Sequence, residues 1–304
     1  MSSSPSRDPW GDFWARNARG ASVGGGTGCL PQRWAAIENA QRATWTAFAK
    51  HLPENAAVLD LATGDGRVLG WLLDQRADLS LTGIDLAATL PAGPTGTKTI
   101  GGVPMEQLPF EDDSLQAVVS QFGFEYGDVA KVTKEIARVL APGGQVGLIV
   151  HRGDGPILEH NRQRRNELQW ALKEKATARK VKAKLKANPP AIGQAEALAK
   201  KTAELGAKRF GQTSPAWEIP EAIRRTVVMG RREGPASMID TIEVIEGHAR
   251  NELGRIASLA TACGTADKRV KLVGAFETHG LTLAEENSLK EPSGRAFADF
   301  LRFK

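Results

Sequence analysis

Val58-Leu59-Asp60-Leu61-Ala62-Thr63-Gly64-Asp65-Gly66-Arg67-Val68 is an apolar run that enters a turn bearing two glycines and leaves it with helical spacing at Val68, Leu69, Leu72 and Leu73. The stretch predicts a buried strand over 57–61, a tight turn and a helix. Glycine is needed there because the backbone must turn sharply and let a ligand approach without a Cβ in the way. The helix start adds unpaired N–H groups. About 20 residues further on, Asp85 closes a second apolar run over 79–84, the distance at which a carboxylate can accept hydrogen bonds from both hydroxyls of a ribose. Asp85 as a plain helix N-cap is the competing reading.

Working outward, residues 97–100, 115–120 and 145–150 read as further short strands, and 129–140 as a helix with Val132, Ile136, Val139 and Leu140 on its apolar side. Pro142-Gly143-Gly144 reads as the turn between that helix and the fifth strand. Residues 281–289 and 297–303, around Pro292-Ser293-Gly294, read as an antiparallel pair closing the sheet. Short apolar strands alternating with helices predict a doubly wound, mostly parallel α/β sheet of seven strands covered on both faces. Between the fifth strand and the final pair lies a helical insertion. Residues 162–209 within it hold fourteen basic against four acidic side chains, about +10 locally. Upstream, a glycine-rich stretch over 20–28 separates Trp10, Phe13 and Trp14 from a helical pattern at Trp34, Ile37, Trp45, Phe48 and Leu52. The expected organisation is an N-terminal helical segment (1–51), a core (52–151 with 250–304) and a basic helical insertion (152–249).

The 304 residues carry 41% hydrophobic and 25% charged side chains and a net charge of +5, values of a globular chain with a sizeable core. Two cysteines, Cys29 and Cys263, make no disulfide framework, and no Cys/His cluster has zinc spacing, so no metal is expected and a cytoplasmic location is. The polar start is not a secretory signal, and no uncharged apolar run is long enough to span a bilayer.

Four segments in order make the chain resemble the class I S-adenosylmethionine-dependent methyltransferases, in particular the ubiquinone and menaquinone methyltransferase branch with its Rossmann-like fold. They are Leu59 to Gly66, Gly83-Ile84-Asp85, Leu108-Pro109-Phe110-Glu111-Asp112-Asp113-Ser114 and Leu140-Ala141-Pro142-Gly143-Gly144. The resemblance implies S-adenosylmethionine as cofactor. Asp60, Ala62, Thr63, Gly64 and Gly66 would surround its methionine part, and Asp85 with Leu86 its ribose. Met105 and Glu106 would lie by its adenine, and Gln121 near its methionine moiety. Two positions depart from the family pattern: Ala62 stands where many members have the first glycine, and Pro104 where many have an aspartate for the adenine amino group.

The residues offer catalytic candidates without a signature. His151 follows the fifth strand at the expected site edge and is the natural base near neutral pH; a strand-end histidine bonded to backbone is the equal alternative. Tyr126, the sole tyrosine, and Glu125 follow the fourth strand. Trp10 and Trp14 are expected to form a lid over the cofactor, and the insertion a cap over the acceptor. The expected reaction moves a methyl group to a small molecule, with oxygen favoured by the resemblance. Three alternatives stay open. The basic insertion suits a peptide or RNA acceptor, although its run 176–186 has no aromatic nearer than Trp170 and Ser120-Gln121-Phe122-Gly123-Phe124 replaces the motif of base N-methyltransferases. A nicotinamide dehydrogenase lacks its third glycine, since Leu69 stands there. A non-catalytic module on the same scaffold is the last. Oligomeric state is not legible.

Overall fold

The computed structural model describes residues 9–20 and 35–304; the expectations placed on Trp34, Cys29 and the glycine stretch after Gly20 lie outside them. The chain forms two compact units, Trp10–Leu158 with Ser258–Lys304, and Glu159–Ala257 with Pro9.

The larger unit is built on one seven-stranded sheet. In chain order its elements are α1 (Pro9–Gly20), α2 (Ala35–Ala49), β1 (Ala57–Leu61), α3 (Arg67–Gln75), β2 (Ser80–Asp85), β3 (Lys98–Gly101), β4 (Leu115–Gln121), α4 (Val129–Val139) and β5 (Leu140–His151). After the helical unit the chain returns with α10 (Arg269–Glu277), β6 (Leu283–Lys290) and β7 (Ala296–Phe303). The strand order is β3-β2-β1-β4-β5-β7-β6, parallel except for β7, which runs antiparallel to both β5 and β6. Strand order reverses between β1 and β4, and in such sheets the crevice at the carboxyl ends of the strands at that point receives the ligand.

Each face of the sheet has its own core. On one, Ile37, Trp45 and Phe48 of α2 meet Val58, Ile149 and Phe300. On the other, Val132, Ile136 and Val139 of α4 meet Leu59, Leu148, Phe276 and Phe303. Burying a side chain of this size contributes about 1.5–3 kcal/mol, so these two layers outweigh any single polar contact in the unit. The fifth strand begins earlier than the sequence suggests. Leu140 already pairs with Leu115, and the register then shifts, so that Pro142-Gly143-Gly144 forms a bulge inside β5 in place of a turn before it. The helix before it accordingly ends at Val139.

The smaller unit is helical: most of α5 (Pro156–Gln169), a π-turn (Trp170–Glu174), α6 (Thr177–Leu185), α7 (Ile192–Phe210), α8 (Pro215–Met229) and α9 (Pro235–Ala266) as far as Ala257. Its core is separate: Leu168, Val181, Leu185, Ala199, Ile223, Val227, Ile242 and Ile256. No strand occurs between Arg152 and Glu277 among the described residues. No helix among them is long and apolar enough to cross a membrane.

Candidate functional site

The turn after β1 has an unusual backbone. Ala62, Gly64 and Gly66 all have positive φ, at 55°, 55° and 73°. For alanine this costs about 1–2 kcal/mol, which glycine avoids. The glycine that the family favours at this position is thus explained, and Ala62 stores strain where the ligand is expected. Thr63 donates its backbone N–H to Ile84 O (2.9 Å) and its hydroxyl to Asp60 Oδ2 (2.6 Å), tying the turn to the ends of both β1 and β2. Gly83 leaves the room that the Thr63 side chain fills, since a Cβ there would overlap it.

Three carboxylates gather at this turn. Asp85 accepts from Gly64 N–H (3.0 Å) and Ala87 N–H (2.9 Å), contacts that fix its carboxylate against the turn. Asp65 pairs with Arg67 at 2.8 Å. Asp60 is 1% exposed, and burial, reinforced by Asp85 and Asp65 and opposed by the Thr63 hydroxyl, pushes its carboxyl up to about 8. A ligand that carries positive charge, as S-adenosylmethionine does on its sulfonium and ammonium groups, would favour the ionised form of Asp60. A Cβ added to Gly64 would overlap the edge of the Trp14 ring, so Trp14 of α1 packs directly on the turn. Trp10 of the same helix donates its indole N–H to Ser258 Oγ (3.1 Å) and meets Phe13 and Tyr126 edge-on at 5.8 and 5.7 Å.

The other side of the crevice is built from the ends of β4 and β5. Ser120 Oγ donates to Leu61 O (2.9 Å) and accepts from Phe124 N–H (3.0 Å), starting a 3-10 turn, Phe124–Tyr126. That turn buries Glu125, which is 2% exposed. Glu125 Oε1 accepts the His151 backbone N–H at 2.8 Å and lies 2.7 Å from His151 Nδ1. Glu125 Oε2 is buried and has no hydrogen-bond partner. Phe122, at a left-handed φ of 56°, lies against the imidazole with centroids 4.2 Å apart, and Tyr126 meets it edge-on at 6.0 Å. His151, Tyr126 and Glu125, all named from the sequence, come together, with Glu125 as the direct partner of His151. The available signal was that each follows an adjacent strand, but only the pairing of β4 with β5 makes them neighbours.

The remaining candidates fall unevenly. Leu86 is 64% exposed beside Asp85. Met105 is half-buried against the α4 core, and Glu106 accepts the Asp128 backbone N–H at 3.0 Å. Pro104 O accepts from Gln107 N–H at 3.2 Å. Gln121 turns its amide to α2, accepting the Trp45 indole N–H at 2.8 Å and donating to Gln41 at 3.4 Å. No group of three or more potential metal-binding side chains occurs among the described residues.

Residues 59–148 match the methyltransferase domain family. A ubiquinone/menaquinone biosynthesis C-methyltransferase from Geotalea daltonii is 32% identical over 35% of this chain and 51% of its own length. A demethylmenaquinone methyltransferase from Thermus thermophilus is 33% identical over 29% and 44%. An uncharacterized methyltransferase from Mycobacterium tuberculosis is 31% identical over 32% and 40%. The chain spans about half the length, or less, of the curated relatives it matches. The matched segment runs from within β1 to within β5 and holds the Ala62–Gly66 turn, Asp85 and Glu125, while His151 and α1 lie outside it. The chain therefore carries a class I S-adenosylmethionine-dependent methyltransferase domain. Over that segment it is similar to the ubiquinone/menaquinone methyltransferases, and S-adenosylmethionine is the domain's cofactor.

Proposed function

We propose that this protein transfers the methyl group of S-adenosylmethionine to a small-molecule acceptor bearing an acidic hydroxyl, with His151 as the base. The observation that carries this reading is the buried contact of 2.7 Å between His151 Nδ1 and Glu125 Oε1. A carboxylate on Nδ1 fixes the tautomer and leaves the lone pair on Nε2, the arrangement in which an imidazole removes a proton. The cofactor supplies an electrophilic methyl group on sulfur; Asp60, Thr63, Gly64 and Gly66 would hold its amino-acid part, and Asp85 with Leu86 its ribose. Met105 and Glu106 would border the adenine. Trp14, lying over Gly64, would exclude water as a lid, and Trp10, Tyr126 and Phe122 would give a planar acceptor its walls. Loss of a hydroxyl proton makes the oxygen nucleophilic and, in a phenol or hydroquinone, equally loads the adjacent ring carbon. The same base thus serves methylation at oxygen, or at ring carbon as the names of the quinone-pathway relatives suggest.

The test is turnover on a panel of phenols and hydroquinones, with product read by mass spectrometry. His151→Gln should lower kcat by about 10²–10⁴ while calorimetry shows an unchanged affinity for S-adenosylhomocysteine. A variant with full turnover removes the base from the mechanism. Trp14→Ala should weaken that affinity and leave kcat at saturation little changed; equal affinity would remove the lid.

A further inference from the structure

The charge of the chain is concentrated in one unit. Residues 159–257 hold twenty basic and twelve acidic side chains, +8, against +5 for the whole chain, so the rest carries −3. Some of these cations are spent on partners within the unit. Lys182 reaches Glu246 at 2.7 Å and Glu243 at 3.2 Å, Arg164 reaches Glu252 at 2.7 Å, and Arg224 reaches Glu221 at 2.7 Å. Others are exposed and make no ion pair among the described residues: Arg179, Lys180 and Lys186 by α6, and Lys200, Lys201 and Lys208 on α7.

Their spacing repeats. On α7, Lys201, Leu205 and Lys208 stand at i, i+4 and i+7, on the side opposite the buried Ala195, Ala199, Thr202, Ala203 and Gly206. Leu205 at the centre is 43% exposed. On α8 and the turn that ends it, Arg225, which pairs with Glu221 at 2.9 Å, Met229 and Arg232 repeat the spacing, again away from the buried Ile219, Ile223 and Val227. Met229 is 77% exposed and Val228 beside it 37%. At α6 the triplet is Arg179, Ala183 and Lys186, all exposed. Each helix therefore shows water an apolar residue with a cation one turn to either side.

We propose that the helical unit docks on an anionic phospholipid surface through these exposed stripes. The cations meet headgroup phosphates, and Leu205, Val228 and Met229 enter the boundary between headgroups and acyl chains. A nucleic-acid backbone would match the cations, but it would leave these apolar side chains against phosphate. The aromatics on these helices, Phe210 and Trp217, are half-buried, which does not suit base stacking. The mode is peripheral, since no described helix is apolar and long enough to span.

Co-sedimentation of the full chain with sucrose-loaded vesicles tests this. Binding is expected to vesicles of equimolar phosphatidylglycerol and phosphatidylcholine, to fall at high salt, and to be absent with phosphatidylcholine alone. K201E/K208E should lower the partition coefficient about tenfold or more; K201Q/K208Q gives a milder loss should the charge reversal disturb folding. L205S/M229S should lower it severalfold at unchanged net charge, with S-adenosylhomocysteine affinity intact as the folding control. No binding to the anionic vesicles overturns the proposal. So does vesicle binding insensitive to L205S/M229S together with equal binding of a duplex or single-stranded RNA, which would make the stripes a general phosphate surface.

Discussion

Asp60 couples the crevice to pH. Its carboxyl, ordinarily near 3.8, titrates at about 8 in the folded protein because burial disfavours its charge. Between those values the native site holds a proton that the unfolded chain does not, so this residue makes stability fall as pH rises from about 4 to 8. A cationic ligand favours the ionised form. Binding of S-adenosylmethionine below pH 8 should therefore release a proton, and affinity should climb with pH until about 8. Calorimetry in buffers of different ionisation enthalpy reads that proton directly; Asp60→Asn should abolish both the release and the slope, and a wild-type protein that releases none would refute the coupling. Ala62 gives a second expectation. Its φ of 55° suits glycine, so Ala62→Gly should raise stability by about 0.5–1 kcal/mol in urea unfolding, the relief of strain exceeding the added freedom of the unfolded chain. A destabilised variant would mean that the methyl group, which packs near Gly123, contributes more than the strain costs.

At the level of elements, the Leu108-Pro109-Phe110 turn shows why a short motif can be legible before its purpose is. Arg138 of α4 donates to Leu108 O (2.9 Å), Phe110 O (2.8 Å), Asp112 (2.8 Å) and Glu135 (2.8 Å), while Glu135 accepts the Leu108 N–H at 2.8 Å. One ion pair on a helix thus holds a loop whose preceding residues, Met105 and Glu106, are the adenine candidates. Arg138→Ala should cost about 2 kcal/mol, because two carbonyls and two carboxylates lose a charged donor. Glu135 is held below its usual range chiefly by its bond to Arg138. That contribution is present above the unfolded carboxylate's titration and lost in acid, so the gap between wild type and variant should narrow as pH falls; a gap unchanged at low pH would assign the cost to the two carbonyls alone. The central strands β1, β2 and β4 were legible because each is a short apolar run closed within a few residues by Gly or Asp, and the cofactor turn because its glycines follow one of them; the polar β6 was legible only through the Pro292-Ser293-Gly294 turn beside β7. The bulge in β5 was not, since proline and two glycines read equally as a turn outside a strand. Nor was Gln121's commitment to Trp45 and Gln41 legible, nor the Glu125–His151 contact, because both depend on which elements become neighbours in space.

For the molecule as a whole, the two units have separate apolar cores, one layered on the sheet and one enclosed by helices. The residues proposed for the cofactor all belong to the first. A ligand that binds only the native state adds about 2.7 kcal/mol at a hundredfold excess over its Kd, and that energy is felt by the segments whose opening destroys the site. Hydrogen exchange with saturating S-adenosylhomocysteine should slow most at 58–70, 83–87 and 120–126 and change little at 192–229. The Asp60→Asn and Trp14→Ala variants should reduce the first effect and leave the second region untouched. Equal protection over 192–229 would mean that the helical unit opens together with the sheet, and that the two cores fold as one cooperative body despite sharing no apolar cluster.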